Sequence, residues 1–202
     1  MDERTRRIVS VTVELAEKGG FEGVRLRDVA DRAGVALGTL YRRFRSKEEL
    51  LMVAFELQVE AFGRRMDLKP ARGGTPLERA ESFFVRFTEG ICSRPQLARA
   101  LLRSLVPGGP ELAERAISFN ARIEAMLAEA LCGGGETGPD EREWRVAQAL
   151  VRVWFALLTG WSSGQHDART VVAETRSAAE LMLGDAADAS VSERLPKEVR
   201  SV

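Results

Sequence analysis

Apolar residues recur at helical spacing along most of this chain, and this periodicity is the feature that most limits its fold. No segment shows a convincing period-two alternation of the kind that indicates a strand. Groups of glycine and proline interrupt the pattern, and such residues end helices because glycine tolerates the left-handed conformation and proline lacks a backbone donor. The sequence therefore predicts an all-α protein of about nine helices. They are expected over residues 4–18, 26–33, 37–44, 46–66, 75–92, 95–105, 111–131, 139–161 and 170–183.

The segment from Arg25 to Lys47 contains two short predicted helices separated by a turn at Gly34. This arrangement is typical of the helix-turn-helix motif, whose second helix enters the major groove of DNA while the first crosses the backbone. A small residue such as Ala30 lets the two helices cross closely. Gly38 lets the backbone of the second helix approach a phosphate or a base edge. We therefore interpret the first three predicted helices as a DNA-binding domain.

Positive charge is concentrated in this segment, although the whole chain has 30 basic and 30 acidic residues. Between Ala36 and Lys47 there are four cations and no acidic residue. Cations and hydroxyl groups bind phosphates, and a threonine reaches a base edge or a thymine methyl. A solvated basic face is the alternative, but a place on the second helix of the motif favours DNA contact. The residues predicted to face DNA are Arg25, Arg27, Leu37, Gly38, Thr39, Tyr41, Arg42, Arg43 and Lys47.

The sequence from Gly19 to Leu51 resembles the N-terminal domain of TetR-family regulators. The most specific part is the run Gly-Val-x-x-Gly-Thr-Leu-Tyr-x-x-Phe-x-Ser-Lys, which ends at Lys47. The resemblance implies an all-α homodimer whose C-terminal helical domain binds a small effector, which shifts the two DNA-reading domains apart. Two positions depart from the family: Arg25 stands where Thr or Ser is common, and Ala36 stands where Ser is common before the recognition helix.

Several C-terminal stretches resemble a narrower group in this family, the KstR-type regulators of actinobacterial steroid catabolism. They cover residues 95–100, 145–147, 153–161 and 181–184. This resemblance implies a large apolar effector, such as a sterol-derived or fatty acyl-CoA thioester. Ligand pockets are mostly apolar, and a place in the plain hydrophobic core is the alternative for any one of the predicted effector residues. These residues are Phe62, Met66, Phe84, Phe87, Leu102, Leu105, Met126 and Trp154.

The eighth predicted helix is apolar almost all round, which requires burial on two sides. One side is expected in the core of the chain, and the other against a second copy together with the ninth helix. A central helix of a monomer is the alternative. The predicted interface residues are Leu150, Val153, Leu157, Trp161, Ala178 and Leu181.

Three regions follow from this pattern: a DNA-binding domain over 1–50, an effector-binding and dimerisation domain over 51–184, and a flexible tail over 185–202. The N-terminus lacks the apolar segment of a signal peptide, and the longest apolar run is too short to span a membrane. We therefore expect a cytoplasmic protein with reduced cysteines. The single histidine, His166, is interpreted as a solvated loop or helix-start residue, and no metal or cofactor is expected.

The sequence thus predicts an effector-responsive transcriptional repressor that is not an enzyme. It would bind a palindromic double-stranded operator as a homodimer and be released by a small apolar ligand. Two alternatives remain open. A helix-bundle enzyme acting on an apolar acyl or sterol substrate needs converging acid–base or metal groups, and none is visible. A constitutive DNA-binding protein without an effector is expected to have a C-terminal domain without a cavity.

Overall fold

The computed structural model describes residues 2–68, 71–105, 110–134 and 137–184, and all regular secondary structure in these ranges is α-helical. This confirms the predicted fold class, while the predicted tail lies outside the described residues. The helices are α1 Glu3–Gly23, α2 Leu26–Ala33, α3 Leu37–Arg43, α4 Lys47–Leu68, α5 Pro76–Cys92, α6 Pro95–Ser104, α7 Pro110–Cys132, α8 Glu141–Ser162 and α9 Ala168–Leu183.

The first helix begins with a side-chain cap and contains a kink. Asp2 accepts a hydrogen bond from the backbone N–H of Thr5 at 2.7 Å, which satisfies one of the free donors of the first turn. Gly20 takes a positive φ of 59°, so the regular helix is interrupted where the sequence predicted its end. A further helical turn then continues to Gly23, which the sequence did not predict.

Two helices begin with the Ser/Thr-x-x-Glu pattern of a capping box, and the two starts differ in detail. Thr75 and Glu78 exchange both hydrogen bonds of the box at the start of α5. At the start of α4, Ser46 Oγ accepts from the backbone N–H of Glu49 at 3.2 Å. The Glu49 carboxylate, however, accepts from the N–H of Arg45 at 2.7 Å. In a regular capping box this carboxylate accepts from the N–H of the cap residue, Ser46. Here it accepts from the residue before the cap, and the bond holds the turn between α3 and α4.

The C-terminal domain is a bundle in which α5 and α8 each pack against both α7 and α9. Aromatic rings fill its centre, and the Phe87 ring lies 5.0 Å from the Trp154 ring, edge to face. The Trp154 N–H donates to Thr88 Oγ1 at 2.9 Å, so its polar group is satisfied inside the core. None of the helices among the described residues has the length and apolar character needed to cross a bilayer.

Helix α6 joins this bundle to the N-terminal domain. It packs extensively along α1 and also contacts α4, α5 and α8. Leu97 and Leu101 on α6 are buried. A displacement of α6 therefore shifts the helices that pack against it both in the C-terminal bundle and in the three-helix N-terminal domain.

Candidate functional site

Helices α2 and α3 form the helix-turn-helix that the sequence predicted. Gly34 ends α2 with a φ of 65°, and the N–H of Val35 donates back to the carbonyl of Ala30 at 3.0 Å. The two helices cross over completely buried side chains, among them Ala30 and Leu40. Burial of this inner face fixes the opposite face of α3 as the one that is presented to a partner.

The outer face of α3 carries the predicted recognition residues. Tyr41 is 52% exposed, and Leu37 is also exposed although both are large and partly apolar. A Cβ placed at Gly38 has no neighbour within 4 Å, so nothing in the protein itself requires glycine there. Thr39 Oγ1 accepts a hydrogen bond from Arg42 Nη2 at 3.2 Å, which orients both side chains along this face.

The two helix starts carry the departures from the family noted above. Arg25 is the N-cap of α2 and Ala36 is the N-cap of α3, and neither makes a side-chain capping hydrogen bond. The first N–H groups of both helices are therefore left without a capping side chain. Such groups bind phosphate oxygens well, because the positive end of the helix dipole lies at the same place. Arg25 and Arg27 are both exposed beside this end of α2.

Two predicted DNA-binding cations already have acidic partners within the protein. Arg43 Nη1 lies 2.8 Å from Asp2 Oδ2. Lys47 Nζ lies 3.2 Å from Glu22 Oε2 and 4.0 Å from the centre of the Phe21 ring. The hydrogen bond and charge of Lys47 lower the pKa of Glu22 below its usual value, with a smaller contribution from Arg103.

Lys47, which the sequence predicted to face DNA, is therefore already engaged within the protein. Its side chain is only 26% exposed. It links the start of α4 to the end of α1. The Phe21 ring also contacts Arg103, whose guanidinium lies 4.2 Å from the ring centre. For Lys47 to contact a phosphate, its ammonium group must either break the ion pair with Glu22 or bind both anions at once.

A cavity opens between α4, α5 and α6, where the C-terminal bundle meets the N-terminal domain. Its volume is ≈ 70 Å³, well below the roughly 300–1,000 Å³ of typical ligand sites. Its wall is mostly apolar, and the charged residues on it are both cations, Arg65 and Arg94. The lining residues are Phe55, Gln58, Val59, Phe62, Arg65, Phe87, Gly90, Ile91, Arg94, Leu97, Ala98 and Leu101.

The structure brings two of the eight predicted effector residues to this cavity, Phe62 and Phe87, whose ring centres are 4.0 Å apart. Phe84 and Trp154 do not line it, because they lie in the core and stack against one another with ring centres 5.8 Å apart. In this structure these two residues thus have the position of plain core residues.

The other predicted effector residues lie elsewhere. Leu102 and Leu105 are buried on the side of α6 that faces the end of α1 and α8. Met126 lies on α7, where its side chain contacts Gly63 of α4, and it lines a separate surface hollow. The side chain of Met66 lies outside the described part of the chain.

No group of three or more histidine, cysteine, aspartate or glutamate side chains in the described residues is arranged to hold a metal ion. Burial raises the pKa of the Cys92 thiol to about 11, so this cysteine is a poor nucleophile at neutral pH.

The sequence patterns of known families match both parts of this structure. The N-terminal pattern of the bacterial regulatory proteins of the tetR family matches residues 8–53. The pattern of the tetracyclin repressor-like C-terminal domain matches residues 73–182, more than half of the chain. The chain belongs to the TetR family. It is therefore a DNA-binding transcriptional regulator with a helical ligand-binding domain.

Individual TetR-family proteins are similar over most of their length. The transcriptional repressor KstR of Rhodococcus jostii is 34% identical over 91% of this chain and 84% of its own. A TetR regulator from Rhodococcus sp. RHA1 has a crystal structure that matches with a TM-score of 0.78, at 28% identity over 90% of this chain and 96% of that one.

The fold of a third protein is also similar. Thermus thermophilus FadR, a TetR-family repressor crystallised with lauroyl-CoA, matches with a TM-score of 0.73 at 22% identity. The alignment covers 92% of this chain and 98% of FadR. At this identity the likeness supports the TetR fold alone.

The predicted dimer residues fall into two groups on the last two helices of this TetR-family chain. Leu150 is completely buried and Trp161 nearly so within the single chain, so neither presents side-chain surface to a second copy in this structure. Trp161 is instead covered by Arg99, whose guanidinium lies 5.5 Å from the ring centre. Val153, Leu157 and Ala178 are half-buried, and Leu181 is 88% exposed. These four side chains remain accessible.

His166 has a structural role that the sequence did not predict for a loop residue. It is half-buried, and its Nε2 lies 2.7 Å from the carbonyl oxygen of Leu157. A Cβ at Gly160 would overlap the His166 ring, so these two residues fit together at the turn from α8 to α9. The pairing fixes the relative direction of the two helices on which the accessible apolar residues of this TetR-family chain lie.

Sequence reasoning missed most of the cavity wall, including Arg65 and Arg94. A single arginine near the end of a helix has the same pattern as a solvated surface residue. The usable signal was weak: Arg94 directly precedes the proline that opens α6, and it lies between two helices with strong apolar faces.

Proposed function

We propose that this chain is a repressor that binds a palindromic double-stranded operator as a homodimer and is released by an amphipathic ligand with an apolar body and an anionic head group. A fatty acyl-CoA or sterol-derived thioester has this chemistry. The single observation that carries the ligand class is the cavity between α4, α5 and α6, whose wall is apolar and whose charged residues are Arg65 and Arg94.

The small size of the cavity bears on how release would work. A ligand of acyl-CoA size does not fit into ≈ 70 Å³, so binding requires that α4, α5 or α6 move. Helix α6 packs on α1 of the DNA-binding domain, and α4 leads directly out of α3. Displacement of either helix therefore changes the position of the recognition helix. FadR of Thermus thermophilus, which shares the fold, binds lauroyl-CoA, and this makes lauroyl-CoA a suitable first probe.

On the DNA side, α3 would lie in the major groove. Leu37, Gly38, Thr39 and Tyr41 would approach the bases and the nearest phosphates. The cations at either end of the motif would contact the phosphate backbone and set the orientation of the helix. They are Arg25, Arg27, Arg42, Arg43 and Lys47. The protein would be cytoplasmic, because it must reach the operator DNA.

A second copy of this chain would pack on α8 and α9. Val153 and Leu157 on α8 and Ala178 and Leu181 on α9 present apolar surface that the single chain leaves accessible. Leu181, in the last turn of α9, is the most exposed of the four at 88%, and a second copy that packs on α8 and α9 would cover it together with the other three. A dimer of this kind presents two recognition helices to two half-sites.

Native mass spectrometry of the purified protein tests the proposal. We expect a dimer, and a mass addition that denaturation releases as an amphipathic molecule or that added lauroyl-CoA produces. A monomer would contradict the homodimer. A dimer that takes up neither lauroyl-CoA nor a co-purified molecule would contradict the ligand class and favour a constitutive DNA-binding protein.

A further inference from the structure

Arg94 belongs to two parts of the molecule at once. It lines the cavity between α4, α5 and α6, and its Nη1 donates to Glu17 Oε1 on α1 at 2.8 Å. Glu17 is part of the N-terminal domain, whereas Arg94 is the residue that leads into α6. The ion pair therefore joins the DNA-binding domain to the cavity through a single side chain.

We propose that the anionic head group of the effector competes with Glu17 for Arg94, and that this exchange of partners couples occupancy of the cavity to the position of the DNA-binding domain. The proposal rests on the proposed function, because it assigns the regulation of that same cavity. It concerns a phosphate or carboxylate head group, and the experiment below distinguishes the two.

The chemistry of the pair favours exchange. A guanidinium has five N–H donors, and the structure shows one of them bound to Glu17, so others are available for an incoming anion. Phosphate and carboxylate groups bind arginine through two parallel hydrogen bonds, which is stronger than the single bond seen here. The Arg94 side chain is 46% exposed and that of Glu17 37%, and ion pairs at such sites are weak. An anion held in place by an apolar tail can therefore displace Glu17.

The position of Arg94 on the fold explains why the exchange would have a distant effect. Helix α6 is tied to α1 by ion pairs near both ends: Arg94 with Glu17 at its start, and Arg103 with Glu22 at 2.9 Å in its last turn. Loss of the first pair removes the ionic link at the end of α6 that lies at the cavity, whereas the pair at the other end remains. Helix α1 in turn holds the recognition helix, through the Asp2–Arg43 pair at 2.8 Å.

Arg94→Gln and Glu17→Gln separate this role from a merely structural one, because the competition makes opposite predictions for ligand binding. Glu17→Gln removes the competitor, so we expect lauroyl-CoA to bind up to about fivefold more tightly. Arg94→Gln removes the anion contact, so we expect about tenfold weaker binding of lauroyl-CoA. In both variants lauroyl-CoA should weaken operator binding by a smaller factor than in the wild type, because the link is already broken.

Three probes of one chain length identify the head group: lauroyl-CoA, free laurate and methyl laurate. Their dissociation constants are measured by isothermal titration calorimetry, and the operator is a fragment selected from random DNA by the wild-type protein. Arg94→Gln should leave methyl laurate binding unchanged. If lauroyl-CoA alone is affected, the head group is the phosphate; if laurate alone is affected, it is a carboxylate; an equal effect on both means that Arg94 binds either anion. Glu81→Gln is the matched control, since it removes the Arg176–Glu81 pair of 2.9 Å between α5 and α9.

The outcomes separate the two proposals. If the wild type binds lauroyl-CoA and releases the operator, but both variants keep its ligand affinity and its factor of release, the role of Arg94 is overturned and the proposed function stands. The role of Arg94 is also overturned if Arg94→Gln and Glu17→Gln shift the affinity for lauroyl-CoA in the same direction. If the wild type binds none of the three probes, the proposed ligand class itself fails, and the role of Arg94 with it.

Discussion

The guanidinium of Arg43 on the recognition helix lies 2.8 Å from the carboxylate of Asp2, the residue that caps α1. One cation of the DNA-facing surface is thus neutralised within the protein before DNA is bound. The pair also ties the start of the first helix to the end of the third. DNA phosphates and Asp2 must compete for the same guanidinium.

Asp2→Asn should therefore strengthen operator binding, by up to about fivefold, because an exposed ion pair of this kind is weak and its loss leaves Arg43 available to a phosphate. Asparagine still offers an oxygen to the N–H of Thr5, so the cap is retained. Fluorescence anisotropy with a labelled operator at fixed salt measures the effect. Glu3→Gln makes the same change of charge one residue along and is the control. Equal gains in the two variants would mean that net charge, and not release of Arg43, is responsible.

The pKa of the Asp2 carboxyl gives a second prediction. The Thr5 hydroxyl and backbone N–H, with a smaller contribution from Arg43, lower it from 3.8 to about 2. Because the folded-state pKa is depressed, the stabilisation by Asp2 is complete above pH 3.8 and is lost as the pH falls towards 2. The carboxyl carbon resonance in an NMR titration should have its midpoint near 2, and Thr5→Val should raise it more than Arg43→Gln. A wild-type midpoint near 3.8 would contradict the cap.

Gly38→Ala should change folding and DNA binding in opposite directions. No atom lies within 4 Å of the added Cβ, and alanine is a better helix former than glycine. We expect the free energy of unfolding, from urea denaturation, to rise by about 0.5–1 kcal/mol. Operator affinity should fall at least severalfold, because the methyl group stands where DNA must approach. Unchanged operator affinity would show that Gly38 does not face the DNA closely.

Trp154→Phe tests the distinction between core and cavity. The variant loses the hydrogen bond to Thr88 and part of a fully buried ring, so unfolding should become easier by about 1–3 kcal/mol. Lauroyl-CoA affinity should stay close to that of the wild type, whereas Phe62→Ala should reduce it, since Phe62 lines the cavity. If calorimetry shows that Trp154→Phe weakens lauroyl-CoA binding and Phe62→Ala does not, Trp154 and not Phe62 contacts the ligand.

Leu181→Glu should convert the dimer into a monomer. Leu181 lies on α9 with 88% of its surface exposed, and a carboxylate there would be buried against a second copy without a partner. Sedimentation velocity at micromolar concentration measures the change. Ile117→Glu, on an exposed part of α7, is the control and should remain a dimer. A dimeric Leu181→Glu protein would place the interface elsewhere.

The sequence predicted the helix-turn-helix closely because its signals are local. Gly34 ends α2 and Ser46 caps α4 through the conformation of a few neighbouring residues, and α2 begins and ends where the sequence placed it. The exposed face of α3 then follows from the helical period alone, once Leu40 is buried.

The cavity and the accessible dimer face depend on contacts between distant segments, which periodicity does not specify. Trp154 and Phe62 are both aromatic residues on apolar faces, yet one lies in the core and the other on the cavity wall. Leu150 is similar in sequence context to Val153, but only Val153 remains accessible after α8 packs. The partners of Arg94 and Lys47, 77 and 25 residues away, are likewise invisible without the fold.

The measurement that tests the central claim most directly is the affinity of the purified protein for its selected operator, with and without saturating lauroyl-CoA, by fluorescence anisotropy at one fixed salt concentration. We predict tight, sequence-specific binding of a dimer to a palindromic site, weakened at least about fivefold by lauroyl-CoA, in the range usual for allosteric coupling. Operator binding that stays the same when lauroyl-CoA is shown to be bound, or DNA binding without sequence preference, would contradict the account.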